Sequence, residues 1–298
     1  VLAQAIADTG AVLAVAGTPE ATGRPLRAAP VVVSGEGGTA VSRHRGAMAS
    51  IDELNRAAAG WGVVSVDPVG GVVRRVPLVT SIDGTLLPAL PIELLRVAAG
   101  VAALRMTVDG EAVTGLRVGD LQVPTEADGS LRVYFSGRQP ERFVSALDVL
   151  SGQVDGALLE GRLALVGLTG IGLHEFLETP IGQRLSGAEI QAELIENIVE
   201  SSWLWRPAWA PRAEAAALLL AGGLLVWVTP RRRTFAAAGM LVGAAAVFFA
   251  AAALAFGSAR LLLDAATPGL GLALLFGVLL TLTLAEANRQ RRALERVV

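Results

Sequence analysis

The sequence predicts an α/β (or α+β) domain followed by an all-α segment of three membrane-spanning helices. Over roughly the first 205 residues, short β-branched runs alternate with helical patterns, which is typical of a mixed domain. From about Glu214 to Ala285, long apolar stretches are separated by only two short polar breaks. The mean hydropathy of +0.55 reflects this C-terminal third, because the first 200 residues carry ordinary charge.

The apolar stretches predict the spans at residues 213–228, 235–256 and 261–285. A helix needs about 20 apolar residues to cross the hydrocarbon core. The second and third stretches reach this length, and the first reaches it if Arg212 and Glu214 lie in the headgroup region. Pro268 is expected to kink or begin the main part of the third helix.

Two features inside the apolar stretches have alternative interpretations. Asp264 lies about one turn from the outer end of the third stretch, so we expect an interfacial or helix-capping role, with a proton or ion relay as the alternative. Gly239 and Gly243 have the spacing of a small-residue helix-packing motif, although this spacing is frequent in Ala-rich helices.

The distribution of arginine predicts the orientation in the membrane. Seven arginines flank one side of the spans (Arg231, Arg232, Arg233, Arg289, Arg291, Arg292 and Arg296), and three flank the other (Arg206, Arg212 and Arg260). The Arg-rich loop and the C-terminal tail are therefore expected in the cytoplasm, and the N-terminal domain outside. An aromatic belt is expected at the interfaces, from Trp203, Trp205, Trp209 and Trp227.

Local patterns predict the elements of the N-terminal domain. We expect buried strands at Ala11–Ala16, Pro30–Ser34 and Arg162–Gly167, and helices at Ala47–Ala59, Leu90–Ala99 and Ala188–Glu200. Residues 61–78 are expected to form a β-hairpin around an Asp67-Pro-Val-Gly-Gly71 turn. Residues 106–133 are expected to form short strands joined by turns at Asp109-Gly110, Gly119-Asp120 and Asp128-Gly129.

The sequence supports no catalytic residue, no metal site and no cofactor. There is no cysteine, and no G-x-S-x-G elbow. The Gly-rich run after Gly167 matches neither phosphate-loop pattern, and the His174-Glu175 segment has a glutamate where a zincin helix has its second histidine. A net charge of −2 argues against nucleic acid as a partner.

Both ends of the sequence suggest an excerpt of a longer protein. It begins at Val1 rather than at a methionine, and residues 286–298 end within a helical pattern. We expect this tail to be the start of a cytoplasmic linker helix. Leu294 with Val297 or Val298, on an Arg- and Glu-rich background, suits the beginning of a parallel dimeric helix, so a homodimer is expected.

The order of segments resembles a known family. The hairpin GWGVVSVDPVGGVVRRVPLV, then LPALPIELLRVAAG, LRVYFSGR and FVSALDVLSG, and finally LEGRLALVGLTGIGLHEFLETPIGQRLSGAEIQAELIENIVE are similar to the CHASE type 2 sensory domain, over roughly Val31 to Ser201. The resemblance implies a sensor module outside the bacterial plasma membrane, three membrane helices, and a cytoplasmic nucleotide cyclase or histidine kinase. It also implies that the N-terminal anchor and the first part of the sensor are absent from this sequence.

Candidate site residues remain few. Asp67, Arg74 and Arg75 either bind an anionic ligand or pair on a sheet surface. The residues that match the family motif or its turns, and are expected to have structural roles, are Gly71, Pro77, Gly167, Pro180 and Glu189. A membrane-anchored extracytoplasmic enzyme and a small transporter subunit remain the alternatives to a receptor with an unidentified stimulus.

Overall fold

The chain forms two units in the computed structural model, Val1–Trp203 and Leu204–Val298. The structure describes residues 1–294 except 24–25, 27–28, 38–39, 138, 169–175 and 229–233. The predicted mixed domain followed by three apolar helices is confirmed.

The first unit contains small sheets interspersed with helices. The described strands are β1 (Val12–Thr18), β2 (Val31–Ser34), β3 (Ser42–His44), β4 (Gly46–Met48), β5 (Gly60–Val63), β6 (Arg75–Pro77), β7 (Val79–Ile82), β8 (Thr85–Pro88), β9 (Leu104–Asp109), β10 (Ala112–Val118), β11 (Leu121–Pro124), β12 (Ser130–Arg132), β13 (Phe176–Glu178) and β14 (Arg184–Ser186). The helices are α1 (Leu2–Thr9), α2 (Asp52–Ala57), α3 (Leu90–Ala98), α4 (Ala146–Leu150) and α5 (Gly187–Glu200), with 3-10 turns at Pro140–Arg142 and Gly156–Leu158.

Five sheets arise from these strands, in the orders β4-β1-β5, β11-β10-β9-β2, β12-β6, β13-β14 and β3-β7-β8. In the four-stranded sheet, β9 alternates buried Leu104, Met106 and Val108 with exposed residues, so one face covers the core. The predicted turns between these strands are confirmed, because Gly110 and Gly119 join β9 to β10 and β10 to β11 with positive φ. β2 is a strand, but it is the exposed edge of this sheet rather than buried.

The predicted hairpin over residues 61–78 is wrong. β5 pairs in parallel with β1, and β6 pairs antiparallel with β12, so the two expected arms belong to different sheets. Only the turn is present, as a bridge between Val69 and Val72 around Gly70 and Gly71, whose φ values are 63° and 79°. The local sequence determined the turn at Gly70 and Gly71, whereas the pairing of each flanking strand depended on residues distant in the chain.

Two further predicted elements differ from the structure. The expected helix Ala47–Ala59 is shortened to α2, because residues 46–48 pair with β1 as strand β4. The expected buried strand Arg162–Gly167 forms no strand, and its side chains are largely exposed, with Val166 at 98%. An apolar run alone predicts burial, but burial requires a neighbouring strand or helix to cover it.

The core of the first unit is divided between two clusters. The larger cluster joins the four-stranded sheet to α3 and α5, through side chains such as Leu104, Met106, Ile92, Ile190 and Leu194. The smaller cluster packs Trp61, Val63, Ile82 and Leu87 around Val15 of β1. Trp203, one of the residues of the predicted aromatic belt, packs against the larger cluster and is partly buried.

The second unit consists of α6 (Ala210–Val228), α7 (Thr234–Ala259) and α8 (Ala266–Leu294). Each contains a segment long and apolar enough to cross a membrane, at Ala210–Val228, Ala238–Ala259 and Ala266–Ala285. The third helix begins at Ala266 rather than at Leu261, with Pro268 in its first turn. Residues 260–264, just before this helix, form hydrogen bonds with Trp205, Arg206 and Glu214.

Glycines let α6 and α8 approach closely. A Cβ placed on Gly222 of α6 would lie 3.2 Å from Leu275 Cδ2, and one on Gly271 of α8 would lie 3.3 Å from Leu218 Cδ1. By contrast, a Cβ on Gly239 or Gly243 would meet no atom within 4 Å. The small-residue packing of this unit therefore uses Gly222 and Gly271 rather than the predicted motif.

Candidate functional site

The three predicted ligand residues, Asp67, Arg74 and Arg75, each contact a different partner. The Ser42 hydroxyl donates to Asp67 Oδ2 at 3.0 Å, and Arg74 Nη1 donates to the Val69 carbonyl at 3.0 Å. Arg75 Nη1 forms an ion pair with Asp128 Oδ2 at 2.9 Å across the β6–β12 pair. Each of the three side chains therefore has a protein partner, and Arg75 has the paired-surface arrangement.

The residues expected to have structural roles occupy turns, strand ends and a helix start. Gly71 lies in the turn at Val69–Val72, and Pro77 is opposite Ser130 at the end of β6. Pro180 follows Thr179 in the turn between β13 and β14, where the Gly182 N–H donates to Thr179 O at 3.0 Å. Gly167 closely approaches Ala188, because an added Cβ would lie 2.6 Å from the Ala188 Cβ.

Glu189 forms a capping box at the start of α5. Glu189 Oε2 accepts from the Ser186 N–H at 2.7 Å, and the Ser186 hydroxyl accepts from the Glu189 N–H at 3.3 Å. These two bonds satisfy donors that the first turn of a helix leaves free. The sequence motif G-A-E-I thus begins a helix in the structure.

A cavity of about 770 Å³ lies beside β3 and the β7–β8 turn. Its lining includes Arg43, His44 and Arg45 together with Ser81 and Asp83. Guanidinium groups are suited to carboxylate and phosphate groups, because their donors form a planar fork. Its volume lies within the range of about 300–1,000 Å³ that is usual for small-molecule sites, but the cavity is partly open to solvent.

The backbone around the cavity is held on two sides. The Arg45 N–H donates to Thr18 O at 3.1 Å, and the Asp83 N–H donates to His44 O at 3.0 Å. The His44 ring lies against Gly17, where a Cβ would be 2.4 Å from the ring. Glycine at this position therefore lets β1 approach the side chain of His44, which lines the cavity.

Helix α5 carries an unexpected buried carboxylate. The Glu193 side chain is only 4% exposed, and Arg142 Nη1 contacts its Oε1 at 3.1 Å. The Ser136 hydroxyl also donates to Glu193, at 3.1 Å, and Arg142 forms a second ion pair with Glu196. Burial raises the pKa of Glu196, and the carboxylates of Glu200 and Glu193 add to the rise, while Arg142 opposes it.

Asn197, one turn further along α5, binds the chain that follows β12. Its Oδ1 accepts from the Tyr134 N–H at 2.7 Å, and its Nδ2 donates to Tyr134 O at 2.9 Å. Gln191 on the same helix donates to Val64 O at 3.3 Å. The apolar periodicity of α5 predicted the helix, but it did not reveal that these polar side chains are buried.

Helix α3 contains a second buried carboxylate. Glu93 is fully buried, and Arg96 binds it with two nitrogens, at 2.7 and 2.8 Å. The Arg96 guanidinium also donates to Val101 O at 2.7 Å, and its hydrogen bonding with Glu93 raises the pKa of Arg96. The spacing of three residues along a helix was the available sequence signal for this pair.

The polar residues at one end of the helical unit form a junction. Arg206 Nη2 contacts Glu214 Oε2 at 2.7 Å, and Glu214 Oε1 accepts from the Asp264 N–H at 2.8 Å. Asp264 Oδ1 accepts from the N–H groups of Ala266 and Thr267 at 2.9 and 3.0 Å, so Asp264 caps α8. Hydrogen bonds from the Thr267 hydroxyl and backbone hold the pKa of Asp264 below its usual range.

Among the residues that the structure describes, no group of three or more His, Asp or Glu side chains is placed to hold a metal ion. His174 and Glu175 of the zincin-like segment, Gly170 and Gly172 of the Gly-rich run, Arg231–Arg233 and the four C-terminal residues lie outside the described part.

Comparison with known families matches residues 1–228 to the model of the CHASE2 domain. No curated protein and no solved structure gives a match. The match begins at Val1, thirty residues before the resemblance seen in the motifs, and extends through α6. It thus covers the mixed first unit, including the cavity beside β3, and the first apolar helix. The chain belongs to the CHASE2 domain family of extracellular sensor domains, and it contains three apolar helices long enough to cross a membrane.

Proposed function

We propose that the chain is the sensory and transmembrane part of a bacterial receptor, which relays an extracytoplasmic stimulus to a cytoplasmic effector. The effector in this proposal is a nucleotide cyclase or a histidine kinase. The observation that carries the proposal is the continuity of a CHASE2 domain with three helices of membrane-spanning length. In addition, α8 continues as a helix from Ala285 to Leu294, beyond its apolar segment, which suits transmission toward a following domain.

The proposed orientation has the sensor outside the plasma membrane and the C-terminal tail in the cytoplasm. The excess of arginine after the first and third spans supports it. The location of CHASE2 domains outside the cell also supports it. A homodimer completes the proposal, because parallel pairing of the two tails would bring two effector domains together.

The cavity beside β3 is where we place the ligand, which we propose to be a small anion. Arg43 and Arg45 would supply the positive charge, with the Ser81 hydroxyl as a further donor. Asp67 would act indirectly, because it binds Ser42, the neighbour of Arg43 on β3. Arg74 and Arg75 are not among the residues that line this cavity, so their binding of an anion is a separate proposal.

Orientation can be tested by cysteine labelling, because the chain has no native cysteine. Leu150 is exposed in the first unit and Arg289 is exposed near the end of α8. In intact spheroplasts, an impermeant maleimide should label Leu150→Cys but reach Arg289→Cys only after the membrane is permeabilised. Labelling of both positions in intact spheroplasts would contradict the proposed topology.

The effector and the dimer need separate tests. The gene beyond Val298 is expected to encode a cyclase or kinase domain, and an immediate stop codon would contradict the relay. Single cysteines along residues 293–298 are expected to crosslink between two chains in membranes with helical periodicity. Absence of crosslinks at all six positions would remove the dimer from the proposal.

A further inference from the structure

The chain that leaves the sensor does not run directly into α6. Just after the boundary between the two units, Trp205 pairs in parallel with Leu261, which lies in the connection between α7 and α8. The Trp205 N–H donates to Arg260 O at 3.0 Å, and the Leu262 N–H donates to Trp205 O at 2.9 Å. The segment before α6 therefore contacts the residues that precede α8.

Side chains reinforce this backbone pairing. Glu214, in the first turns of α6, is 16% exposed and uses one oxygen for Arg206 and the other for the Asp264 N–H. Arg206 Nη1 also donates to Leu262 O at 3.3 Å. A carboxylate that bridges a guanidinium and an amide forms charge-assisted bonds, which are stronger than neutral ones.

We propose that this junction, formed by residues 204–206, Glu214 and residues 260–264, is the coupling point that passes displacement of the sensor's exit segment directly to the start of α8. We call it the outer clasp. The inference rests on the proposed relay and identifies its route. Asp264 is held through its N–H by Glu214 while its carboxylate caps α8, so a shift of Arg206 is transmitted through two side chains to the first turn of α8.

The route through the clasp bypasses the α6–α7 connection. A displacement that travelled only along the chain would have to cross α6 and α7 before it reached α8. The clasp joins residues that are fifty or more positions apart in sequence, such as Glu214 with Asp264 and Arg206 with Leu262. Beyond the clasp, α6 and α8 stay in close contact where Gly222 faces Leu275 and Gly271 faces Leu218.

Hydrogen exchange of the full chain in nanodiscs tests the clasp. Arg206→Gln and Glu214→Gln should each accelerate exchange of peptides covering residues 260–270 by about tenfold, because a charge-assisted bond to the clasp is lost. Peptides covering residues 104–124 of the sensor should be unchanged. Arg212→Gln, which alters an exposed arginine beside the clasp, is the matched control and should have no effect.

Conservative and crosslinked variants keep the outcome interpretable. Arg206→Lys retains the charge but not the fork of donors, so it should give an intermediate rate. A disulfide between Trp205→Cys and Leu261→Cys should suppress the acceleration caused by Glu214→Gln. Unchanged exchange at residues 260–270 in both Gln variants, or equal acceleration over all three helices, would overturn the clasp. Maleimide labelling decides the receptor topology independently of this result.

Discussion

The two units of this protein place their charged side chains differently. In the sensor unit, two glutamates are buried with an arginine partner: Glu93 is bound by Arg96 of the same helix, and Glu193 of α5 is bound by Arg142, which precedes it by 51 residues. In the helical unit, Arg206 and Glu214 form an ion pair at the end of the unit where α6 begins. Of the sensor's two buried pairs, Glu193–Arg142 therefore joins two segments distant in the chain, whereas the clasp joins the segment before α6 to the segment before α8.

The largest expected effect comes from breaking the fully buried pair of α3. Arg96→Met leaves Glu93 without its partner, and removing one member of a buried ion pair costs about 3–5 kcal/mol. Chemical denaturation of the full chain in detergent measures this loss through the fluorescence of Trp61 and Trp203, with Trp205, Trp209 and Trp227 replaced by phenylalanine in every variant. Arg117→Met, at an exposed position of β10, is the control and should change stability by less than about 0.5 kcal/mol. Equal stability of the two variants would contradict a structural role for the Glu93–Arg96 pair.

A smaller effect is expected from Asn197 on α5. Asn197→Ala removes the partner of both the N–H and the carbonyl of Tyr134, and an unsatisfied buried group costs about 1–3 kcal/mol. The same denaturation experiment should show this loss, with faster hydrogen exchange at residues 133–136. Retained protection of these residues would mean that Asn197 does not hold α5 to this segment.

The helical unit allows a matched test of its packing. Gly222→Val forces side-chain atoms against Leu275, and overpacking costs about 1–3 kcal/mol. Gly239→Val adds the same side chain at a position where the Cβ would have no described neighbour within 4 Å. Thermal unfolding in nanodiscs should therefore lower the transition of the first variant only. If Gly239→Val were the more disruptive, α7 would pack through the sequence-predicted motif, as in a dimer.

The smallest effect concerns pH. The folded-state pKa of Glu196 is raised, so the native state binds more protons than the unfolded chain between the ordinary value near 4.5 and the raised value. This group's contribution to stability therefore decreases as pH rises through that window. Glu196→Gln should flatten this part of the stability profile, measured by denaturation between pH 4 and 7. An identical slope in the wild type and the variant would show that the pKa of Glu196 is not raised.

Predictability differed among the elements for a physical reason. The turns at Gly110 and Gly119 and the helix α3 were predictable because glycine in positive φ and proline in a first turn act locally. The hairpin over residues 61–78 failed because β5 and β6 found partners more than forty residues away. The prediction that Asp67 lies opposite Arg74 and Arg75 assumed that residues 61–78 form a hairpin. Because β5 and β6 pair with other strands, this hairpin does not form.

The candidate cavity had only a weak sequence signal, the run Arg43-His44-Arg45. Its position depends on the parallel pairing of β3 with β7 and on the close approach of His44 to Gly17. The buried carboxylates of α3 and α5 were equally hidden, since a glutamate on a helix is normally exposed. Their burial is a property of the packed neighbours rather than of the glutamates.

By itself, the sequence determined that this protein has a mixed domain followed by three apolar helices. A bilayer requires about 20 consecutive apolar residues, and this condition is satisfied within each segment without reference to any other. Only the tertiary structure decided which strands pair, which charges are buried, and that Glu214 joins Arg206 to the start of α8. Those contacts connect residues distant in the chain, and their formation depends on the packing of the whole unit.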